Sequence, residues 1–312
     1  GITDNPDSRK LHGHPVPYLG GVAIALAALL ASAFLRGWRA EATVILLGAL
    51  LVGVVGLIDD LRNLHPLPRL GTELVAALIA ASAGARVHIF DGPMDWVITV
   101  AWLVIITNAF NLLDNMDGAA GVIATTTALG LAIAAGLEGQ YLVGGLAGVV
   151  AGCCGGFLFH NWHPARIFMG DSGSLFVGYL LAAIALKLRF PVDQVGGIVA
   201  VLLFTGPALF DTTLVVLARV STGRSIYQGG TDHTSHRLQK LGLSTGSVVN
   251  VLALTCAVTS TLGILVGHGT IPVELVAAPV ALLAGLGLVV LLAVPIYADA
   301  GRPLDAVPQP ES

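Results

Sequence analysis

The sequence predicts an all-α fold, a polytopic integral membrane helix bundle of about ten transmembrane helices with its catalytic loops on the cytoplasmic face. Three observations carry this. Hydrophobic residues make up 55% of the 312 and charged residues only 11%, where a soluble domain carries about 25% charged. Mean hydropathy is +0.85. The apolar residues also fall in unbroken runs close to the roughly 17–25 residues that span a bilayer. Fifteen basic and nineteen acidic residues are too few to coat a soluble enzyme of this size. The net charge of −4 offers no footprint for nucleic acid.

The runs lie near 19–35, 42–58, 71–85, 96–113, 119–136, 141–160, 174–187, 195–218, 247–267 and 273–297. Lipid cannot satisfy backbone hydrogen bonds, so each must be a helix or part of a closed barrel. They are continuously apolar rather than alternating, which excludes the barrel. Residues 1–297 therefore form a single membrane-embedded domain. The stretch 298–312, with Pro303, Pro308 and Pro310, reads as a disordered cytoplasmic tail. The chain opens on Gly1 rather than Met, and an N-terminal segment is expected to precede it. Cys153, Cys154 and Cys256 have neither metal-ligand nor disulfide spacing and read as small buried hydrophobes. Gly144, Gly148, Gly152 and Gly156 recur every four residues, a stripe that lets a second helix approach closely. Packing inside the bundle is the expectation, a homodimer interface the sharper alternative.

An even number of spans puts both ends on one side. The segments of that side hold Arg9, Lys10, Arg62, Arg69, Arg166, Arg219, Arg224, Arg237, Lys240 and Arg302, and the other side holds Arg36, Arg39, Arg86, Lys187 and Arg189. The excess of positive charge places the first set in the cytoplasm. The same side carries nearly every polar cluster.

Asp59-Asp60 closes the second run, with Arg62 and Arg69 following. Carboxylates at a helix C-terminus oppose its dipole, which points to a cation or proton-bearing partner rather than to a simple helix end. Asn108, Asn111, Asp114 and Asp117 recur every three residues where the fourth run meets the cytoplasm, so successive members are helical neighbours. Met169-Gly170-Asp171-Ser172-Gly173-Ser174 enters the seventh run, either as an ordinary helix cap or as a third wall of one metal site. Between the eighth and ninth runs stand Gly223-Arg224 and Asp232-His233-Thr234-Ser235-His236-Arg237. A zinc site there lacks further ligands; donors for phosphate or sugar oxygens fit better. The opening segment Arg9-Lys10-Leu11-His12 through Gly21 is basic enough to touch anionic headgroups. Converging carboxylates need a counter-charge. A hard cation with oxygen ligands, Mg²⁺ above all and Mn²⁺ as substitute, fits this donor set. The chemistry that follows is phosphoryl transfer at a membrane surface.

In this order the motifs resemble the polyprenyl-phosphate N-acetylhexosamine-1-phosphate transferases, from about residue 4 to 238. The resemblance implies transfer of a sugar 1-phosphate from a UDP-sugar to a polyprenyl phosphate, releasing UMP, with Mg²⁺ required. That would be the first membrane step of a cell-envelope glycan such as lipopolysaccharide or teichoic acid, at a bacterial-type plasma membrane. It implies that Asn111 and Asp171 hold the metal, and that Asp59 or Asp60 positions or deprotonates the lipid phosphate. Asp114 and Asp117 would support the nucleotide and metal. Arg69, His233, His236 and Arg237 would bind diphosphate and sugar, with Lys10, His12, Asn108 and Arg224 as further substrate-binding candidates. It also implies one more helix before Arg9. His233-Thr-Ser-His236 stands where many relatives have His-Ile-His-His and where the muramoyl-pentapeptide enzymes have a His-His-His pattern. An N-acetylglucosamine donor is therefore favoured over the pentapeptide one. Two rivals fit less well. A CDP-alcohol phosphotransferase would need Ala-Arg after the Asp-Gly, where Asp117-Gly118 is followed by Ala119-Ala120-Gly121. A secondary transporter would place its charges near the bilayer midplane.

Overall fold

The computed structural model describes residues 3–4, 16–227, 229–298 and 302–303. Lys10 and His12 lie outside these, as does most of the tail expected over 298–312. Two-residue strands pair antiparallel at either end, β1 (Thr3–Asp4) with β2 (Val16–Pro17) and β3 (Tyr297–Ala298) with β4 (Arg302–Pro303). Everything else regular is helix. In order these are α1 (Gly20–Ser32), α2 (Ala40–Arg62), α3 (Pro66–Ser82), α4 (Pro93–Leu113), α5 (Ala119–Leu137), α6 (Tyr141–Asn161), α7 (Gly170–Lys187), α8 (Gln194–Ser221), α9 (Thr234–Lys240), α10 (Thr245–Gly267) and α11 (Glu274–Leu292). Each predicted run coincides with one of these helices; only the short α9 was not foreseen.

Among the described residues, seven helices are long and apolar enough to cross a membrane: α2, α4, α5, α6, α8, α10 and α11. The expectation of about ten spans exceeds this number for physical reasons. Helix α1 has 13 residues and α3 has 17, while α7 carries Asp171 in its first turn and Lys187 in its last.

Helix α7 is nonetheless the axis of the bundle. Its residues from Ser172 to Leu186 are buried on every side, as expected of a helix that is apolar all round. It packs against α1, α2 and α4. The polar tips of its own Tyr179 and of Trp102 on α4 are satisfied within this core: the Tyr179 hydroxyl donates to the Ala76 carbonyl at 2.8 Å, and Trp102 Nε1 donates to the Ala182 carbonyl at 3.1 Å.

Helix α2 meets the start of α7 backbone to backbone. A Cβ on Gly56 would lie 2.7 Å from Ser172 N and nearer still to the Asp171 carbonyl. Gly170 has φ +68°, and a Cβ there would sit 2.8 Å from an Asp60 carboxylate oxygen. Only glycine satisfies both conditions at that turn.

The glycine stripe on α6 corrects the expectation of internal packing. Gly144 does pack on α5: a Cβ there would lie 3.3 Å from the Ala135 side chain. Gly148, Gly152 and Gly156 have nothing within 4 Å of where a side chain would begin; they line an open groove whose other wall is Ala23, Ala27 and Ala31 of α1.

These contacts separate two glycine substitutions. Gly56→Val should lower the thermal midpoint in detergent, as overpacking against a backbone costs about 1–3 kcal/mol, while Gly148→Val should leave it almost unchanged. Equal midpoints for the two variants would contradict the close approach of α2 to α7.

Candidate active site

Four helix ends meet at one end of the bundle. Helix α2 stops at Asn63, which adopts a left-handed conformation (φ 47°) and donates its amide to the Asp59 carbonyl at 2.8 Å. The next free amide, Leu64 N, donates to Asp59 Oδ1 at 2.6 Å. The turn thereby fixes the Asp59 side chain. Pro66 then begins α3, placing Arg69 in its first turn. Arg69 Nη1 lies 3.3 Å from Asp59 Oδ2 and 3.3 Å from Asp171 Oδ2. One turn further, Glu73 reaches Arg69 Nε at 3.8 Å. Glu73 is buried, and its other oxygen accepts a short hydrogen bond from Asn108 Nδ2 of α4. Asn111, also on α4, donates to Asp171 Oδ1 at 2.6 Å and to Ser174 Oγ at 3.0 Å.

The structure thus brings together Asp59, Arg69, Asn108, Asn111 and Asp171, from four helices. The donor set suits a hard divalent cation. Three carboxylates, Asp59, Glu73 and Asp171, face a single guanidinium, and Glu73 Oε1 is buried with no hydrogen-bond donor. The positive group already at their focus shows that Asp59 and Asp171 aim at a common point. Oxygen ligands with surplus negative charge are what Mg²⁺ takes.

The Asp59-Asp60 pair divides. Asp60 Oδ1 accepts from Asp171 N at 2.8 Å and Oδ2 from Ser172 N at 3.1 Å. Its carboxylate therefore caps the N-terminus of α7, where the helix dipole favours negative charge. This answers the expected misfit of two acids at the end of α2: one serves the beginning of a different helix. Between them, Asp59 alone of the pair faces Arg69 and Asp171.

Asp114 and Asp117 follow the end of α4. Burial, reinforced by the Asp171 carboxylate, pushes the Asp114 carboxyl up to about 7. Asp117 Oδ2 is 2.8 Å from His163 Nδ1 and accepts from Ala165 N at 3.0 Å. It ties the loop after α4 to the loop before α7. Asn161 does the same, accepting from Gly118 N at 2.9 Å and donating to the Ile167 carbonyl at 2.9 Å.

The loop between α8 and α10 folds around buried charge. His233 Nδ1 lies 2.8 Å from Asp211 Oδ2, and Thr234 N donates to Asp211 Oδ1 at 2.7 Å. Arg219 Nε donates to Asp232 Oδ2 at 3.0 Å, and Arg224 Nη1 reaches Asp232 Oδ1 at 3.5 Å. Ser235 Oγ donates to Asn115 Oδ1 at 2.5 Å, linking α9 to the residue after Asp114. The His236 ring lies 5.7 Å from that of His233. Burial and the neighbouring His233 hold its pKa down at about 4.

Arg237, expected on the substrate, is occupied elsewhere. Its Nη1 donates to the Leu291 carbonyl at 2.6 Å and to the Val294 carbonyl at 2.7 Å, and its Nε to the Asp232 carbonyl at 3.0 Å. It satisfies carbonyls left open at the end of α11. Arg224 is likewise engaged with Asp232. The residues that sequence analysis passed over are Glu73, Asp211, Asn161 and His163. Glu73 had a signal, standing four residues after Arg69 on one helix face. The others are joined only by the tertiary fold. A separate trio, His88, Asp91 and Asp95, brings ligand atoms within 4.8 Å of one another. It sits at the start of α4, the end away from Asn111, and Asp95 Oδ1 there accepts from the Ile89 and Phe90 amides.

The depressed His236 has a sign that can be checked. An unfolded histidine protonates near pH 6.5, whereas in the fold it stays neutral to about 4. Its contribution is fully present above pH 6.5 and is lost as pH falls toward 4. Between pH 7 and 5 the thermal midpoint of the wild type should drop more than that of His236→Gln; parallel curves would contradict the buried neutral imidazole.

Comparison with known proteins bears on the family of the chain. Residues 42–189 match the family model described as glycosyl transferase family 4. A probable undecaprenyl-phosphate N-acetylglucosaminyl 1-phosphate transferase of Bacillus subtilis is 34% identical over 284 residues, 87% of this chain and 79% of that protein. A decaprenyl-phosphate N-acetylglucosaminephosphotransferase of Mycobacterium leprae is 32% identical over 80% of this chain and 73% of its own length. A phospho-N-acetylmuramoyl-pentapeptide-transferase of Heliobacterium modesticaldum is 29% identical over 80% and 83%. With four helix ends presenting acids and amides to one point at the end of an apolar bundle, the chain belongs to glycosyl transferase family 4, among the polyprenyl-phosphate hexosamine-1-phosphate transferases.

Proposed function

We propose that this chain transfers N-acetylglucosamine 1-phosphate from UDP-N-acetylglucosamine to a polyprenyl phosphate at the cytoplasmic face of the plasma membrane. The observation that carries the reading is Arg69 Nη1 standing 3.3 Å from both Asp59 and Asp171, carboxylates 112 positions apart in the chain. Asn111 and Asp171 would hold Mg²⁺, which, when bound, supplies charge neutralisation for the donor diphosphate. An oxygen of the lipid phosphate attacks the sugar-bearing phosphorus, and the bond from that phosphorus to the bridging oxygen breaks. UMP leaves with that bond pair. A phosphate monoester has its second pKa near 6, so the acceptor is mostly dianionic at neutral pH and needs no strong base. Asp59 then acts mainly by orienting the acceptor, beside the fixed positive charge of Arg69. Asp114 and Asp117 border the donor, and His233 and His236 supply ring-nitrogen contacts for sugar or phosphate oxygens.

The acetylglucosamine donor is supported by the His233-Thr-Ser-His236 pattern and by the names of the Bacillus and mycobacterial relatives. Transfer of the muramoyl-pentapeptide phosphate is the second reading, supported by the Heliobacterium relative. Cytoplasmic orientation is supported by the basic residues concentrated at the site's end of the bundle. Helices α1, α3 and α7, packed among the seven apolar helices, would bring the number of membrane helices to ten.

The test is a donor panel of UDP-N-acetylglucosamine, UDP-N-acetylgalactosamine, UDP-muramoyl-pentapeptide and a UDP-diamino-sugar, with polyprenyl phosphate, with and without Mg²⁺. UMP and a lipid-linked product should appear from the acetylglucosamine donor, and only with the metal. Asp171→Ala should reduce turnover by at least about 100-fold while the protein keeps its elution volume. UMP from the pentapeptide donor alone would overturn the sugar assignment. Absence of any lipid-linked product, or near-normal turnover in Asp171→Ala, would overturn the site.

A further inference from the structure

The end of the bundle away from Asp59 and Asp171 carries a second polar site. Arg39 and Glu41 stand at the start of α2, whose other end bears Asp59, and Lys187 closes α7, whose first turn bears Asp171. At 1.5 Å per residue the two ends are roughly 25–35 Å apart. Here Arg36, Arg39, Lys187 and Arg189 line one pocket of about 670 Å³. These are four of the five basic residues assigned to that face of the bundle. The fifth, Arg86, lies instead over the Trp96 ring at 5.1 Å.

Four cations in one pocket repel one another, and a single carboxylate among its lining residues, Glu41, offsets them. Glu41 Oε2 accepts from Lys187 Nζ at 2.6 Å, and Lys187 also donates to the Gly84 carbonyl at 3.2 Å. Arg36, Arg39 and Arg189 carry the remaining positive charge; all three are exposed, and Arg189 Nη1 donates to the Leu186 carbonyl at 2.8 Å, which leaves its Nε and Nη2 toward the pocket. The position of Arg189 is held by its neighbour: Gln140 Nε2 donates to the Arg189 carbonyl at 2.6 Å, and Arg189 N donates back to Gln140 Oε1 at 3.0 Å. The rest of the wall is apolar, made by Ile45, Leu142, Leu146 and Ile184. Guanidinium groups bind phosphate by paired hydrogen bonds, and apolar walls beside them suit a hydrocarbon chain.

We propose that this pocket binds a phosphate-bearing amphiphile, with the phosphate among Arg36, Arg39 and Arg189 and the chain along Ile45, Leu146 and Ile184. Such a ligand joins the loop before α2 to the loop after α7, and so braces the two helices whose opposite ends hold Asp59 and Asp171. The site is independent of the transfer reaction, so its test does not depend on the donor sugar.

The experiment uses the full chain in a neutral detergent with three probes: dihexanoyl phosphatidic acid, dihexanoylglycerol, and inorganic phosphate. Phosphatidic acid should raise the thermal midpoint and remain bound in native mass spectrometry; dihexanoylglycerol should do neither. Replacing Arg36, Arg39 and Arg189 together by Gln should weaken this binding at least tenfold, while Arg86→Gln should not. Any binding at the catalytic end persists in the triple variant and is subtracted. Should the triple variant not fold, Arg36→Gln, Arg39→Gln and Arg189→Gln alone should each weaken binding, and undiminished binding in all three would overturn the site. A shift by inorganic phosphate equal to that by phosphatidic acid would overturn the lipid and leave a soluble phosphate as the ligand. No shift with any probe, or equal shifts in wild type and triple variant, would overturn the site.

Discussion

The carboxylate of Asp60 across the first turn of α7 is the contact on which the arrangement of the site depends. Its two oxygens take the amides of Asp171 and Ser172, groups that a helix start otherwise leaves open. The bond requires α2 and α7 to touch backbone to backbone, which Gly56 and Gly170 permit. Once that contact is made, Asp59 and Asp171 are brought to a common point, because each is one residue from an anchored neighbour. Asp60 and Asp59 are adjacent in sequence yet opposite in task, one holding a helix and the other facing the guanidinium of Arg69.

The second constraint is charge balance in a low-dielectric bundle. Asp59, Glu73 and Asp171 surround Arg69 and leave a negative surplus, while Asn108 and Asn111 donate to it without adding charge. The loop after α8 shows the opposite solution, where Asp232 meets Arg219 and Arg224 and Asp211 meets His233. Balanced clusters of this second kind fix a fold. An acidic surplus is what a divalent cation would answer, and it lies at the end where the family motifs meet.

Much of this was legible in the chain itself. A run of apolar residues has one solution in lipid, so ten of the helices were foreseen within about five residues of their observed limits. Clusters such as Asp59-Asp60 and Asn108 to Asp117 stood out because polar groups are costly there. What sequence could not assign was direction. Asp60 and Asp59 are chemically identical until α7 arrives beside one of them. Arg237 looked like a ligand for phosphate until the end of α11 presented its carbonyls. Gly148, Gly152 and Gly156 looked like a packing stripe, yet no helix of the described chain covers them. In the first two cases the deciding partner lies far away in sequence, in the third the described chain offers none, and periodicity carries no information about either.

The most direct measurement is the binding of Mn²⁺, as a spectroscopic stand-in for Mg²⁺, followed by electron paramagnetic resonance on the purified full chain with UDP-N-acetylglucosamine present. One bound ion per chain is expected, its signal lost in Asp171→Asn and kept in Asp95→Asn, which alters the trio at the far end of α4. An ion retained by Asp171→Asn and lost from Asp95→Asn would place the metal at the wrong end of the bundle and contradict it.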